Sequence, residues 1–245
     1  MESKKARLDR FVATRLGINR RDVRVMLAKQ RITVDGEFAS RINQVIDQFS
    51  AVCVDGESLQ DNHPVYLMMN KPVGVVSATK DDQHKTVIDL LNTDEYADLH
   101  IVGRLDLNSS GLLLLTNHGE WSRSLTSPEK KVSKVYEVRV EKPVNEECIR
   151  AFAEGIYFPF EDITTLPAGL EKLSDTLVRV SLMEGKYHQI KRMFGRFRNP
   201  VLALHRVSIG SLQLDSELQP GDSRELTADE IERLSMDGLA VERAL

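Results

Sequence analysis

One carboxylate in this chain stands where it could do chemistry. The stretch GRLDLNSSGLLLLTN, residues 103–117, places Arg104 and Asp106 immediately before a turn-forming Asn-Ser-Ser-Gly and a run of four leucines. Two readings compete for Asp106. In the first it is a turn residue whose carboxylate accepts a hydrogen bond from the backbone two residues on. In the second it is a catalytic carboxylate fixed at the mouth of a buried strand and aimed into a cleft by rigid flanks. Arg104 lies two residues away, so on an extended segment it points to the same side.

Other standard chemistries lack their residues. The chain has no G-x-G-x-x-G or Walker-type glycine loop for a nucleotide cofactor and no G-x-S-x-G elbow for a serine hydrolase. Its six histidines, at 63, 84, 100, 118, 188 and 205, form no H-x-x-x-H or H-x-H pair, so no metal site is expected. Cys53 and Cys148 are far apart with no C-x-x-C spacing and read as ordinary buried thiols. A glycosidase would need a second acidic residue flanking the bond it cuts, and only Asp106 has such a setting. One carboxylate, a basic helix and a tyrosine on a strand remain.

These residues must be positioned by a core, and 245 residues with 41% hydrophobic content can build a substantial one. The longest uniformly aliphatic run, Leu112 to Leu115, is far short of the ~20 residues that span a bilayer, and the polar start MESKKARLDR lacks a secretory signal's apolar segment. A cytoplasmic protein without a membrane partner is expected, as a monomer. The net charge of −4 is unevenly spread: residues 1–31 hold ten Lys or Arg against Glu2, Asp9 and Asp22, whereas residues 212–245 hold nine acids against Arg224, Arg233 and Arg243. A basic amino-terminal face on a mildly acidic body suits an RNA- or DNA-binding appendage on an enzyme, although a solvated helix surface would carry the same charge.

The periodicities give that face a shape. RLDRFVATRLG places Leu8, Phe11, Val12 and Leu16 on one helical face, with Gly17 as a stop. Asn19 caps a second helix, in which Val23, Met26 and Leu27 face inward while Arg20, Arg21, Arg24 and Lys29 stay outside. Hairpins follow at Asp35-Gly36 and Asp55-Gly56. The polar QDNHP at 60–64 marks a boundary, giving domains 1–60 and 61–245.

Beyond it, VYLMM, GVVSAT, LHIVGRLD, GLLLLTN, KVYEVRVE, TLVRVSLM and VLALHRVSIGSLQL read as strands. Helices are expected near Val87–Leu91 and Glu120–Leu125, over EECIRAFAE capped by Asn145, in the basic KYHQIKRMFGRF, and after a Thr227/Glu230 capping box. Without a regular βαβ rhythm this predicts an α+β fold with a mixed, mostly antiparallel sheet.

Two resemblances give these features an owner. The arginine-rich helix followed by RITVDGE resembles the small RNA-binding domain named after ribosomal protein S4, which implies phosphate contacts by its Arg and Lys residues. GRLDLNSSGLLLLTNHGE resembles the signature of RNA pseudouridine synthases of the RsuA-type branch. NKPVGVVS, KVYEV and EGKYHQIKRMF resemble three further stretches of that family, in the same order.

The resemblance implies that Asp106 is the catalytic aspartate, acting either as nucleophile on C1′ or as base on a ribose proton, with no metal or cofactor. It implies that Tyr136 stacks on the uracil, that Lys191 pairs with the carboxylate, and that Leu182 lines the floor under the base. Arg104 would hold phosphate or fill the gap left by an extruded base. Arg192 competes with Lys191 for its role or contacts RNA itself.

His118 stands where relatives often carry Asp, and Asn108-Ser109-Ser110 replaces a stretch that frequently includes Thr. The wider superfamily has Arg where Lys191 stands. Relatives acting on large-subunit RNA tend to read G-R-N-x-[EQ]-[VI]-R-R, whereas GKYHQIKRMF with LHRVSIG resembles the small-subunit enzyme. The implied substrate is a single uridine in 16S ribosomal RNA, in a free or partly assembled small subunit. A 23S enzyme and a non-catalytic assembly factor are the alternatives.

Overall fold

The computed structural model describes residues 5–91, 96 and 98–239. Glu2, Lys4, Glu242 and Arg243, counted in the charge asymmetry, lie outside the described residues. The chain forms two compact units, Met1–Pro64 and Val65–Leu245, which meet at the end of the QDNHP segment.

In the first unit β1 (Ala6–Arg7) pairs with β4 (Val45–Ile46), and β3 (Glu37–Phe38), β2 (Ile32–Val34), β5 (Val52–Val54) and β6 (Glu57–Gln60) form a four-stranded antiparallel sheet. Helices α1 (Leu8–Leu16) and α2 (Arg20–Ala28) bury Leu8, Val12 and Val23 in one cluster with Ile32, Val34, Ile46, Val52 and Val54. Gly17 ends α1 in the left-handed region, and the Asn19 side chain accepts from the Arg21 and Asp22 N–H groups at 2.9 and 3.0 Å. Both Asp-Gly turns have positive φ at both residues, the geometry that matches strand twist in two-residue hairpins.

Asp9 on α1 is fully buried, and its carboxylate accepts from Arg7, from the Arg10 N–H and from Arg20. Arg20, grouped from sequence with the outward cations, is therefore tied by its guanidinium to a buried anion. Arg21, Arg24 and Lys29 are exposed, with no ion pair among the described residues.

The second unit is a mixed sheet. Its strand order is β13 (Gly169–Lys172), β14 (Leu177–Leu182), β10 (Lys134–Val140), β15 (Val201–Ile209), β9 (Ser110–Thr116), β7 (Tyr66–Lys71), β17 (Ser223–Glu225). Strand β8 (His100–Val102) adds to β9, β16 (Leu212–Gln213) adds to β15, and β11 (Tyr157–Phe158) and β12 (Ile163–Thr164) form a separate hairpin. Every pairing in the large sheet is antiparallel except β9 with β15, the expected mostly antiparallel arrangement.

Among its described residues this unit has four α-helices: α3 (Gly119–Thr126), α4 (Glu146–Glu154), α5 (Gln189–Gly195) and α6 (Ala228–Leu239). Thr227 and Glu230 form the expected reciprocal capping box before α6. Among the described residues no helix is long and apolar enough to cross a membrane.

The four leucines make sense in the middle of that sheet. Strand side chains alternate, so Leu113 and Leu115 enter one core cluster while Leu112 and Leu114 enter the cluster on the opposite face. All four are fully buried, each worth about 1.5–3 kcal/mol of transfer free energy. The strand that follows the GRLD turn is thus anchored from both sides.

Four expectations need correction. GVVSAT forms no strand, only the single bridge from Val76 to Thr86, and the helix near Val87–Leu91 shrinks to one 3₁₀ turn, Ile88–Leu90. The basic helix begins at Gln189, because His188 takes a left-handed φ of 48°. Cys148 is buried, and burial pushes its thiol up to about 11, but Cys53 is only half-buried.

Gly111 sits where β9 meets β15 in the parallel pairing. Its φ is +103°, and a Cβ would stand 2.6 Å from the Arg206 nitrogen and closer still to that residue's carbonyl oxygen. Gly111→Ala is expected to destabilise the protein by about 3 kcal/mol, read as a shift of the urea unfolding midpoint at unchanged slope.

Candidate active site

The loop from Gly103 to Ser109 joins β8 to β9, and buried side chains hold its backbone almost group by group. Lys71, fully buried at the end of β7, donates from Nζ to the carbonyls of Asp106 at 3.2 Å, Ser109 at 2.8 Å and its neighbour Pro72 at 2.9 Å. Arg206, 2% exposed on β15, donates to the carbonyls of Leu112 at 2.7 Å and Gly103 at 2.9 Å. Ser77 Oγ donates to the Leu105 carbonyl at 2.8 Å and accepts from the Leu105 N–H at 3.1 Å. The Gly74 N–H reaches the Leu107 carbonyl at 2.9 Å. Bonds from a charged donor are worth about 1.5–3 kcal/mol each, and an unsatisfied buried carbonyl costs a similar amount, so the loop has little freedom.

The turn itself is closed by backbone, with the Ser109 N–H on the Asp106 carbonyl at 3.0 Å. The Asp106 carboxylate is left to point elsewhere. Its Oδ2 lies 3.0 Å from Lys191 Nζ and 3.3 Å from His188 Nε2, two residues brought to it across 85 and 82 positions of sequence by α5. The turn-forming reading of Asp106 thus belongs to its main chain and not to its side chain.

A pocket of about 100 Å³ opens over this carboxylate, and its lining includes Arg104, Asp106, Tyr136, Leu182, His188 and Lys191. Tyr136 comes from the middle of β10, paired in register with Val180 on β14 and Arg206 on β15. Leu182, buried at the end of β14, supplies an apolar wall. Arg104 reaches the pocket from irregular backbone, not from the extended strand its spacing suggested. Arg192 does not join the lining: its guanidinium pairs with Glu161 and lies 4.0 Å over the Phe158 ring on the β11–β12 hairpin. Lys191 is therefore the cation on Asp106, and its competitor is engaged elsewhere.

A charged pair, an aromatic ring and an apolar wall surround one small opening. Residues 65–195 match the family model described as RNA pseudouridylate synthase. The chain belongs to that family. It is 48% identical over 226 residues to a Pseudomonas aeruginosa protein named ribosomal small subunit pseudouridine synthase A, covering 92% of this chain and 98% of that one. A protein of the same name from Escherichia coli strain K12 is 41% identical over the same shares. A solved structure titled as that of a pseudouridylate synthase superposes with a TM-score of 0.68 at 38% identity, covering 93% of this chain and 99% of the other.

Sequence reasoning passed over three residues that this pseudouridylate synthase fold brings to the loop. Lys71 and Arg206 were quoted inside NKPVGVVS and LHRVSIG as parts of motifs, without a task. A lone basic residue inside an otherwise apolar strand, as in YLMMNKP, is the signal that marks a buried cation with a fixed partner. His188 was counted only as a histidine without a metal-binding neighbour.

Burial pushes the Lys71 ammonium down to about 8, and Arg206 and Lys191 push the same way against the attraction of Asp106. In the unfolded chain the group titrates near ~10.4. The unfolded state therefore holds the proton more tightly, and the contribution of Lys71 to folding stability rises with pH between about 8 and ~10.4. Lys71→Met should flatten that rise, read as the difference between the wild-type and variant unfolding free energies across this range; parallel curves would contradict the assignment.

Proposed function

We propose that this protein isomerises a single uridine of 16S ribosomal RNA to pseudouridine, with Asp106 as the catalytic carboxylate. The observation that carries the proposal is the Asp106–Lys191 pair at 3.0 Å, set in a pocket with Tyr136 and Leu182. The choice of small-subunit RNA rests on the names of relatives 41–48% identical over nearly the whole chain.

The reaction breaks the bond from C1′ to N1, turns the freed base and rejoins it through C5. Asp106 acts at the sugar, attacking C1′ or removing a ribose proton; either role needs an ionised carboxylate, which Lys191 favours by its charge. The Tyr136 ring offers a flat face on which a detached uracil turns in plane, and Leu182 closes the pocket beneath it. Arg104 takes phosphate or occupies the space of the extruded base. Nothing in this sequence of bond changes calls for an oxidant, a metal or a cofactor.

Residues 1–60 serve as the S4-like RNA-binding domain and 61–245 as the catalytic domain. Arg21, Arg24 and Lys29 contact phosphate, as do Arg20 and Arg192 with the donors their carboxylate partners leave free. The protein works as a monomer in the cytoplasm, on a free or partly assembled small subunit.

Small-subunit RNA carrying tritium at uracil C5 tests the reaction. Wild type should release label to water and Asp106→Asn none above background; release by both would remove Asp106 from its role. Label released only from large-subunit RNA would move the substrate. For the basic helix, Arg24→Ala should lower the slope of log affinity against log salt by about 1, measured by filter binding, and an unchanged slope would take Arg24 off the RNA.

A further inference from the structure

We propose that the Tyr187 ring is a stacking platform for the unpaired base next to the target uridine in the RNA strand; the inference rests on the isomerase reading above. Tyr187 is 76% exposed and stands two residues before α5. One exposed ring is ordinary on a protein surface. This one is fixed in place. It stacks on the His188 imidazole with centroids 3.9 Å apart and planes 17° from parallel. His188 is held in turn by a left-handed backbone, φ 48° and ψ 31°, and by Asp106, whose Oδ2 lies 3.3 Å from its Nε2. One face of Tyr187 is thus covered, and the ring stands one stacking layer beyond the group that touches the catalytic carboxylate.

Exposure alone does not choose this ring. Phe160, in the turn of the β11–β12 hairpin, is 97% exposed, yet no ring or cation contact orients it among the described residues. Orientation and nearness to Asp106 decide for Tyr187.

The surroundings fit a nucleic-acid strand. Lys186 pairs with Glu184 at 3.0 Å and Arg192 with Glu161, so these two acids are neutralised. Arg104, lining the pocket, and Arg196, four residues past Arg192, are exposed without an ion pair among the described residues, which leaves two cations for phosphates. A uridine extruded into the pocket deprives its neighbour of a stacking partner, and an aromatic side chain supplies one whatever that neighbour is. A residue with this task is free to differ between enzymes that act on different RNAs. The large-subunit motif G-R-N-x-[EQ]-[VI]-R-R has Asn, which has no ring, where this chain has Tyr187.

Tyr187→Leu keeps an apolar side chain and removes the ring. In the tritium-release assay with small-subunit RNA, its KM should rise about 10-fold while kcat stays within about twofold of wild type, and Tyr187→Trp should restore KM. On RNA made abasic at the nucleotide before or after the target, the gap between wild type and Tyr187→Leu should close for one of the two. A fluorescent adenine analogue at that nucleotide should be quenched on binding wild type and not on binding Tyr187→Leu. A KM gap of the same size on both abasic RNAs overturns the proposal, as does a loss confined to kcat, which would make the ring a support for His188 alone. If wild type releases no label from the intact RNA, the isomerase reading falls first and takes this inference with it.

Discussion

Two buried cations, Lys71 and Arg206, hold the main chain that presents Asp106, and the rest of the site depends on them. Neither belongs to the loop. One ends β7 and the other lies in β15, so the loop becomes rigid only when the sheet has assembled around β9. The order of cause runs from four leucines buried on two faces, to a fixed β9, to cations in place beneath the preceding loop, to a carboxylate with one direction in which to point.

Asp106 and its partners then illustrate why a binding protein would not be built this way. A carboxylate beside RNA repels phosphate, and placing it in a pocket costs solvation. Lys191 at 3.0 Å offsets both effects while leaving the carboxylate about one-third exposed at the pocket. Arg192, the next residue, is directed away to Glu161 and Phe158, so the pocket receives one cation from this pair and not two. A similar economy governs the amino-terminal unit, where buried Asp9 gathers Arg7 and Arg20 and leaves Arg21, Arg24 and Lys29 to solvent.

Much of this was legible in the sequence, and the parts that were not share a cause. Period-two and period-3.6 patterns located β9, β10, β14, α1, α2 and α4, and Asn19, Asn145 and Thr227 marked the caps, because these signals are local. The pocket membership of Asp106, Tyr136, Leu182 and Lys191 was reached only through resemblance, since nothing in the spacing says that α5 crosses over the loop. His188 was missed because its backbone leaves the helical region one residue before α5, which no side-chain pattern announces. The Asp9–Arg20 pair was not foreseen, because Asp9 is a charge buried at a position that helical periodicity treats as polar surface, while Arg20 itself stays on the outside as expected. The loss of a strand in GVVSAT has the same character: its partners are single backbone groups of distant loops, not a neighbouring strand.

The most direct measurement of the central claim is a structure of the Asp106→Asn variant bound to small-subunit RNA containing the target uridine. The account predicts one uridine out of its stack, its C1′ against the side chain of residue 106, and its ring between Tyr136 and Leu182. A bound RNA whose bases all stay stacked, or a flipped base lodged away from Tyr136, would contradict it.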